Sequence, residues 1–229
     1  MLTSALITPG DTRHTAADEV FAMLHADILS LHLPPGTKLS EADVSRRLGV
    51  SRQPVREAFI RLANMNMLWI RPQRATMVRQ ISMADITRAR FVRIAIEVEV
   101  VQRACLADKV DLAILRANLA HQDQAVEAGD LDWFHTLDEQ FHRQLCVAAG
   151  CVLAHDTIVE AKAHVDRLCV MSLRSPQERA ALVADHHAIV DCLERKDSEA
   201  AVRHIRCHLS RLDQVIAEAR KKHPEYFDE

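Results

Sequence analysis

Histidine and aspartate side chains recur at a spacing of four residues in the second half of the chain. In the stretch LDEQFHRQL, Asp138 and His142 are four residues apart, so their side chains project from the same face of a helix. In AVRHIRCHLSRL, His204 and His208 have the same spacing, in line with Leu212. The two pairs predict two helix faces that carry side chains able to bind a metal.

A third helix adds another imidazole to this set. In ADHHAIVDCL the apolar positions place His186 on or near an inward face and His187 further outward. A carboxylate and three neutral imidazoles would bind a divalent metal such as Zn, Ni, Co, Fe or Mn, and fewer than six protein ligands leave positions for water or a small ligand. The alternative is a group of hydrogen-bonded buried polar residues, because Asp and His four apart are common in helices.

The elements that must position these residues are helices. The chain of 229 residues has only five glycines and 4% aromatic residues, and its long segments repeat apolar residues at helical period. The sequence predicts a mostly α fold, with an N-terminal winged helix-turn-helix domain at 1–80 and an all-helical domain at 82–229. The second domain is predicted to be a bundle of about six helices, at 82–107, 111–128, 130–149, 151–172, 175–194 and 197–221.

Capping signals in the first domain predict two helices joined by a tight turn. Ser40 is expected to cap one helix, and Gly49 is free to take the positive φ that ends it. Ser51 is expected to cap the next helix, whose first turn contains Pro54, where a missing N–H has little effect. Two helices with a short glycine-containing turn form a helix-turn-helix, and the second of them would enter the major groove of DNA.

Charge separates the two predicted domains. From Arg46 to Arg79 there are eight basic residues and one acid, Glu57, whereas beyond Ser82 there are 19 Lys and Arg against 25 Asp and Glu. A basic module beside an acidic one is typical of a nucleic-acid binder with a separate regulatory domain. The stretches LWI and TMVR predict a two-stranded wing after the second helix. The residues expected to face DNA are Arg46, Ser51, Arg52, Gln53, Arg56, Arg71 and Arg74.

The sequence contains no membrane or secretion signal that we can identify. No apolar run approaches the ~20 residues of a membrane helix, and the first residues lack the basic start and long apolar stretch of a signal peptide. The six cysteines lie in apolar helical contexts and never as Cys-x-x-Cys, which predicts reduced core residues. A cytoplasmic protein without a membrane partner is expected.

The first domain resembles a known family. The stretch PPGTKLSEADVSRRLGVSRQPVREAFIRLANMNMLWIRPQRATMV is similar to the winged helix of GntR-type bacterial transcription regulators. The resemblance implies that Arg52 and Arg56 contact operator DNA and that the tip of the wing reaches the minor groove. Two departures concern the wing, because the chain has Asn66-Met67-Leu68 where the family commonly has Glu-Gly-Leu, and Arg74-Ala75 where it has Arg-Gly.

The second domain resembles the all-helical FCD effector domain of the FadR-like branch of that family, over nearly all of 82–225. The resemblance implies a metal bound by Asp138, His142, His186 and His208, with His204 left as a neighbour or a substitute. The family motif Arg-x-x-x-Glu matches Arg93 and Glu97, and the arginine at that position helps to hold a carboxylate ligand. The alternative for Arg93 is an ordinary Arg–Glu pair along a helix.

Together these features predict a ligand-responsive transcription regulator, most often a repressor in this family. A homodimer would bind a pseudo-palindromic operator, and a small organic acid at the metal site would control DNA affinity. One alternative is a metal-dependent hydrolase, which would have no need of the first domain. Another is a constitutive DNA binder with a structural metal, whose operator affinity would not respond to metabolites.

Overall fold

The computed structural model describes residues 15–71, 75–163, 165, 167–168 and 175–228. It divides into two compact units, Met1–Arg79 and Gln80–Glu229. In chain order the elements of the first unit are α1 (Ala16–Leu29), β1 (Lys38–Leu39), α2 (Glu41–Leu48), α3 (Arg52–Asn64), β2 (Leu68–Trp69) and β3 (Thr76–Val78). Those of the second are α4 (Met83–Leu106), α5 (Leu112–Ala128), α6 (Leu131–Ala148), α7 (Ala154–Ala163), α8 (Pro176–Arg195), α9 (Ser198–Lys222) and a final 3₁₀ turn (Pro224–Tyr226).

Helices α2 and α3 form the expected helix-turn-helix. Ser40 caps α2 by accepting a hydrogen bond from the backbone of Asp43, and Gly49 ends it at φ 65°. Ser51 occupies the cap position of α3 but its hydroxyl makes no capping hydrogen bond, contrary to the expected role. Its hydroxyl at the helix start makes no hydrogen bond with the described residues.

The sheet has one strand more than the predicted wing. Strands β2 and β3 pair antiparallel, with Leu68 opposite Val78, and β1 adds to the other edge of β3 to give the order β1-β3-β2. The short extended segment before α2 is therefore the third strand of the wing sheet. Because β1 precedes α2 directly, it attaches the helix-turn-helix to the wing.

The core of the first unit lies between α1, α3 and the sheet. Helix α1 buries Val20, Leu24 and Ile28, and α3 buries Val55, Phe59 and Leu62. Met65, which periodicity places on the buried face of α3, is 37% exposed because the helix ends at Asn64. The spacing of Phe21, Leu24, Ile28 and Leu31 predicts an apolar stripe on α1, but Leu31 lies past the helix end with φ 61°.

The second unit is a helical bundle in which α4 and α9 pack together and α9 also packs against α8. Its main core joins residues from α4, α5, α6, α8 and α9, with Phe141, Leu119 and Ile205 fully buried. Thus helices distant in sequence meet around one interior. Among the described residues, no helix is long and apolar enough to cross a membrane.

Candidate functional site

Three imidazoles from three helices meet inside the bundle. His142 lies on α6, His186 on α8 and His208 on α9, and each offers a ring nitrogen within 4.8 Å of those of the other two. The rings of His186 and His208 are 4.6 Å apart between centroids, and the ring of His142 is 5.6 Å and 5.3 Å from them. We call His142, His186 and His208 the histidine cluster.

Burial keeps two of these imidazoles neutral. Burial, with the neighbouring His142, lowers the pKa of His208 to about 4. Burial, together with His208, holds the pKa of His186 well below its usual value. At neutral pH both rings therefore have a nitrogen lone pair, which is the form that binds a transition metal.

The buried ring nitrogens of the histidine cluster fit a metal site. His186 Nε2 and His208 Nδ1 are buried and make no hydrogen bond with any of the described residues. Unpaired buried polar atoms are costly, so each of these nitrogens requires a partner. The carboxylates beside them, Asp138 Oδ1 at 3.8 Å from His186 Nε2 and Asp185 Oδ2 at 3.9 Å from His208 Nδ1, are beyond hydrogen-bonding distance. A divalent transition metal would be such a partner, because three imidazole nitrogens are a typical ligand set for zinc and its neighbours.

Asp138 lies beside the histidine cluster but makes a second contact. Its Oδ1 is 3.9 Å from His142 Nε2 and 3.8 Å from His186 Nε2. Its Oδ2 accepts a hydrogen bond from Lys162 Nζ on α7 at 2.7 Å. Burial alone would raise the pKa of Asp138, but Lys162 and His142 outweigh this effect and hold it well below its usual value. Asp138 is thus an anion that Lys162 and the histidine cluster share.

Glu97 connects the predicted effector residue to the histidine cluster. Arg93 Nε donates to Glu97 Oε1 at 2.7 Å, and Glu97 Oε2 lies 2.8 Å from His142 Nδ1, close enough for an ion pair but without hydrogen-bond geometry. Burial would raise the pKa of Glu97, but Arg93 and His142 outweigh it and hold that pKa below its usual value. A carboxylate behind a ligand histidine orients the ring and increases its basicity. Glu97 is therefore more than the helical partner of Arg93.

The remaining histidines of these motifs lie outside the cluster. His187 faces away and its Nε2 lies 3.1 Å from Asp123 Oδ2, as its outward position predicts. His204 is half-buried and is not among the three nitrogens that converge. Of the two histidines four residues apart on α9, His208 therefore belongs to the cluster and His204 does not.

A cavity of about 70 Å³ opens beside the histidine cluster. Its polar lining includes Arg93, Asp138, His142, Lys162 and His208. Its apolar lining comes mainly from Leu182 and from three residues of α9, namely Leu209, Leu212 and Val215. A wall of each kind suits a small amphipathic anion, with its charged end toward the cations and the cluster. Sequence reasoning missed Lys162, which comes from a separate helix and belongs to no motif that we identified.

The predicted DNA-facing residues of α2 and α3 are exposed, and several pair with acids. Arg56 makes two hydrogen bonds to Glu41, at 3.2 and 3.1 Å, and Gln53 donates to Glu57 at 2.9 Å. Arg52 is exposed and forms no ion pair with the residues that the structure describes. The ion pair between Glu41 and Arg56 links α2 to α3 and positions the Arg56 guanidinium on the outer surface of the motif.

Three further residues were predicted to contact DNA, namely Arg46, Arg71 and Arg74. Arg46 is exposed and pairs with Asp43 at 3.1 Å. Arg71 lies next to the wing, with its guanidinium 4.5 Å from the centre of the Trp69 ring. Arg74 lies outside the described residues.

Two family models match the chain, one on each unit. Residues 16–78 match the model described as bacterial regulatory proteins, gntR family. Residues 89–211 match the FCD domain. The second match contains the histidine cluster, Asp138, Lys162 and Arg93.

Relatives and solved structures agree with these matches. The HTH-type transcriptional repressor RspR of Escherichia coli K12 is 39% identical over 212 residues, covering 92% of this chain and 93% of that protein. The Nta operon transcriptional regulator of Aminobacter aminovorans is 27% identical and covers 82% and 90%. The structure of E. coli McbR/YncC has a TM-score of 0.68 at 22% identity, covering 91% and 99%. A GntR regulator from Rhodococcus sp. RHA1 has the same TM-score at 24% identity, covering 88% and 97%.

Proposed function

We propose that this chain, which belongs to the GntR family of bacterial transcription regulators and carries an FCD domain, is a repressor controlled by a small organic acid at a metal site. The family regulates transcription and does not catalyse reactions, so the hydrolase alternative is dropped. GntR regulators bind operator DNA and FCD domains bind small-molecule effectors. The metal, the acid, the homodimer and the direction of control are our proposal.

For DNA binding, the proposal assigns base and phosphate contacts to the start of α3. Arg52 and Gln53 lie in its first turn and Arg56 one turn further on, all exposed. Arg can hold guanine O6 and N7 with both arms of its guanidinium, and Gln can read adenine. In a homodimer two such helices would enter successive major grooves of a pseudo-palindromic operator.

The observation that carries the effector proposal is the convergence of three imidazoles, two of which have a buried nitrogen that makes no hydrogen bond with the described residues, beside a cavity lined by Arg93 and Lys162. His142, His186 and His208 would hold the metal, with Asp138 as a fourth ligand whose other oxygen stays with Lys162. Such a metal, Zn, Ni, Mn or similar, supplies a Lewis-acidic charge that binds a carboxylate oxygen. Arg93 lines the same cavity and would hold the acid with its guanidinium, while the leucines of α9 contact its apolar part.

An acid bound in the cavity changes DNA affinity only if it prefers one arrangement of the dimer. The acid would contact residues of α4, α6, α7, α8 and α9, so its binding would couple five helices of the bundle. We propose that the acid favours an arrangement of these helices in which the two recognition helices of the dimer no longer match the half-site spacing.

Thermal unfolding of the metal-loaded protein against a panel of small carboxylic acids tests the effector proposal. A ligand that binds only the folded state at about 100 times its Kd stabilises by about 2.7 kcal/mol. For a chain of this length we expect a rise in Tm of about 5 °C or more with an acid of the right class. Protein treated with a chelator should show no rise with the same acid.

The matched control for that experiment removes one of the cations of the cavity. Arg93→Met removes the guanidinium and leaves the histidine cluster in place. This variant should lose the response to the acid and keep the response to the metal. A panel in which no acid raises Tm of the metal-loaded wild type would favour a structural metal and a constitutive DNA binder.

A further inference from the structure

Two buried amides on α5 have no part in the function proposed so far. Asn118 and Gln122 are 4% and 0% exposed and lie one turn apart on a face that is otherwise apolar, between Leu115, Leu119 and Ala125. Buried amides in a helical core are costly unless every donor and acceptor is paired. The partners of their hydrogen bonds therefore indicate the role of the two amides.

The pairing starts at a backbone carbonyl, whose role is fixed. Asn118 Nδ2 donates to the carbonyl oxygen of Leu137 at 3.1 Å, which leaves Asn118 Oδ1 as an acceptor. Gln122 Nε2 donates to that Oδ1 at 2.7 Å and lies 3.5 Å from the same carbonyl. The orientation of both amides follows, because a flipped Gln122 would place its oxygen against two other oxygens with no proton between them.

The amide oxygen of Gln122 then determines the proton position on an imidazole. Gln122 Oε1 lies 2.8 Å from His186 Nδ1, in a fully buried contact. An amide oxygen can only accept, so the proton must be on Nδ1. A neutral imidazole with its proton on Nδ1 has its lone pair on Nε2. This is the buried nitrogen that makes no hydrogen bond with the described part of the chain, 3.8 Å from Asp138 Oδ1.

We infer that Gln122 is a positioning residue that holds the proton of His186 on Nδ1 and directs the Nε2 lone pair into the histidine cluster. The inference rests on the proposed metal function for its purpose, but the proton position can be measured without metal. Asn118 fixes the orientation of Gln122, and the carbonyl of Leu137, one residue before Asp138, fixes Asn118. Two candidate metal ligands thus have different partners, Glu97 behind His142 and Gln122 behind His186.

The direct test is ¹⁵N NMR of the full-length, metal-free protein labelled at histidine ring nitrogens. Long-range ¹H–¹⁵N spectra distinguish a protonated ring nitrogen from one with a lone pair. We expect His186 to have a protonated Nδ1 and an unprotonated Nε2. A wild-type spectrum with the proton on Nε2 would overturn the inference, and this measurement does not depend on whether any variant folds.

Two substitutions separate positioning from packing. Gln122→Leu removes the acceptor, so the proton should shift at least partly to Nε2, and the Kd for zinc should rise about 10- to 100-fold, the usual effect of losing an outer-shell partner. Gln122→Glu keeps an acceptor and should keep the Nδ1 proton, because a buried protonated carboxyl can donate to Asn118 Oδ1 in place of the amide and still accept from His186. Retention of the Nδ1 proton and of zinc affinity in Gln122→Leu would contradict the inference.

A neighbouring pair on the same two helices provides the control. Asp123 on α5 accepts from the partly exposed His187 on α8, so Asp123→Asn alters an acceptor of an imidazole outside the cluster. This variant should leave the spectrum of His186 and the Kd for zinc unchanged. If the wild type shows the Nδ1 proton but binds no zinc, the metal proposal fails and the assignment of the proton to Gln122 stands.

Discussion

Replacing both Arg52 and Arg56 by alanine should weaken operator binding by about 100-fold or more. Each guanidinium that contacts a guanine or an equivalent DNA site contributes about 1–3 kcal/mol of affinity. Both side chains are exposed on α3, so their loss should leave Tm nearly unchanged. Fluorescence anisotropy with operator DNA at fixed salt measures the effect, since phosphate contacts make the affinity dependent on salt.

Two further variants locate the effect in the recognition helix. Arg52→Lys keeps the charge but loses the bidentate geometry, so it should recover only part of the affinity. Arg88→Ala removes an exposed arginine of α4 that pairs with Asp85, and should bind DNA normally. If the double alanine variant folds and binds the operator as well as the wild type, the assignment of α3 as the recognition helix is wrong.

Replacing both His186 and His208 by alanine should abolish specific metal binding. The variant keeps only His142 of the three imidazoles, and this loss exceeds the 10- to 100-fold effect that an outer-shell change produces. Zinc should then no longer raise Tm of the variant, whereas it should raise that of the wild type in proportion to occupancy. Competition with a chromophoric chelator gives the Kd directly.

The substitution also removes packing, and the control must account for it. The His186 ring stacks on Phe141 with centroids 4.1 Å apart, so its loss should lower Tm of the metal-free protein. For this reason the response to zinc, and not the absolute Tm, is compared between proteins. His187→Ala, at the adjacent and partly exposed position outside the cluster, should keep the zinc response. Zinc binding by the double variant with unchanged Kd would place the metal elsewhere.

Much of the fold could be predicted from the sequence because local signals determine helix ends. Ser40 and Gly49 bound α2 as their types require, and the helix-turn-helix followed from them. The wrong predictions concern residues near helix ends, where the last residue of the helix determines whether a side chain lies on its buried face. Met65 and Leu31 continue the apolar period beyond the last helical turn, and periodicity alone does not say where a helix stops.

Sequence patterns indicated the residues of the histidine cluster and Asp138, but not the two residues that reach them from other helices. Spacing placed Asp138 and His142 on one helix face and His204 and His208 on another, because residues four apart on a helix share a face. Apolar positions placed His186 inward, and the family resemblance selected Asp138, His142, His186 and His208. Lys162 and Gln122 reach the site from α7 and α5, and only the packing of those helices reveals it. The polar pair of Asn118 and Gln122 on an apolar face was the one local signal, and it gives no indication of its partner. Likewise β1 joins the wing sheet through a pairing distant in sequence.

The affinity of the metal-loaded protein for operator DNA, with and without an acid that raises Tm, tests the central claim most directly. We expect the acid to raise the Kd for the operator by about 10-fold or more, a typical coupling between two sites. Chelation of the metal, or the Arg93→Met substitution, should remove the effect of the acid. An operator Kd that does not change with saturating acid would contradict the account, because the site would then bind a ligand without controlling DNA.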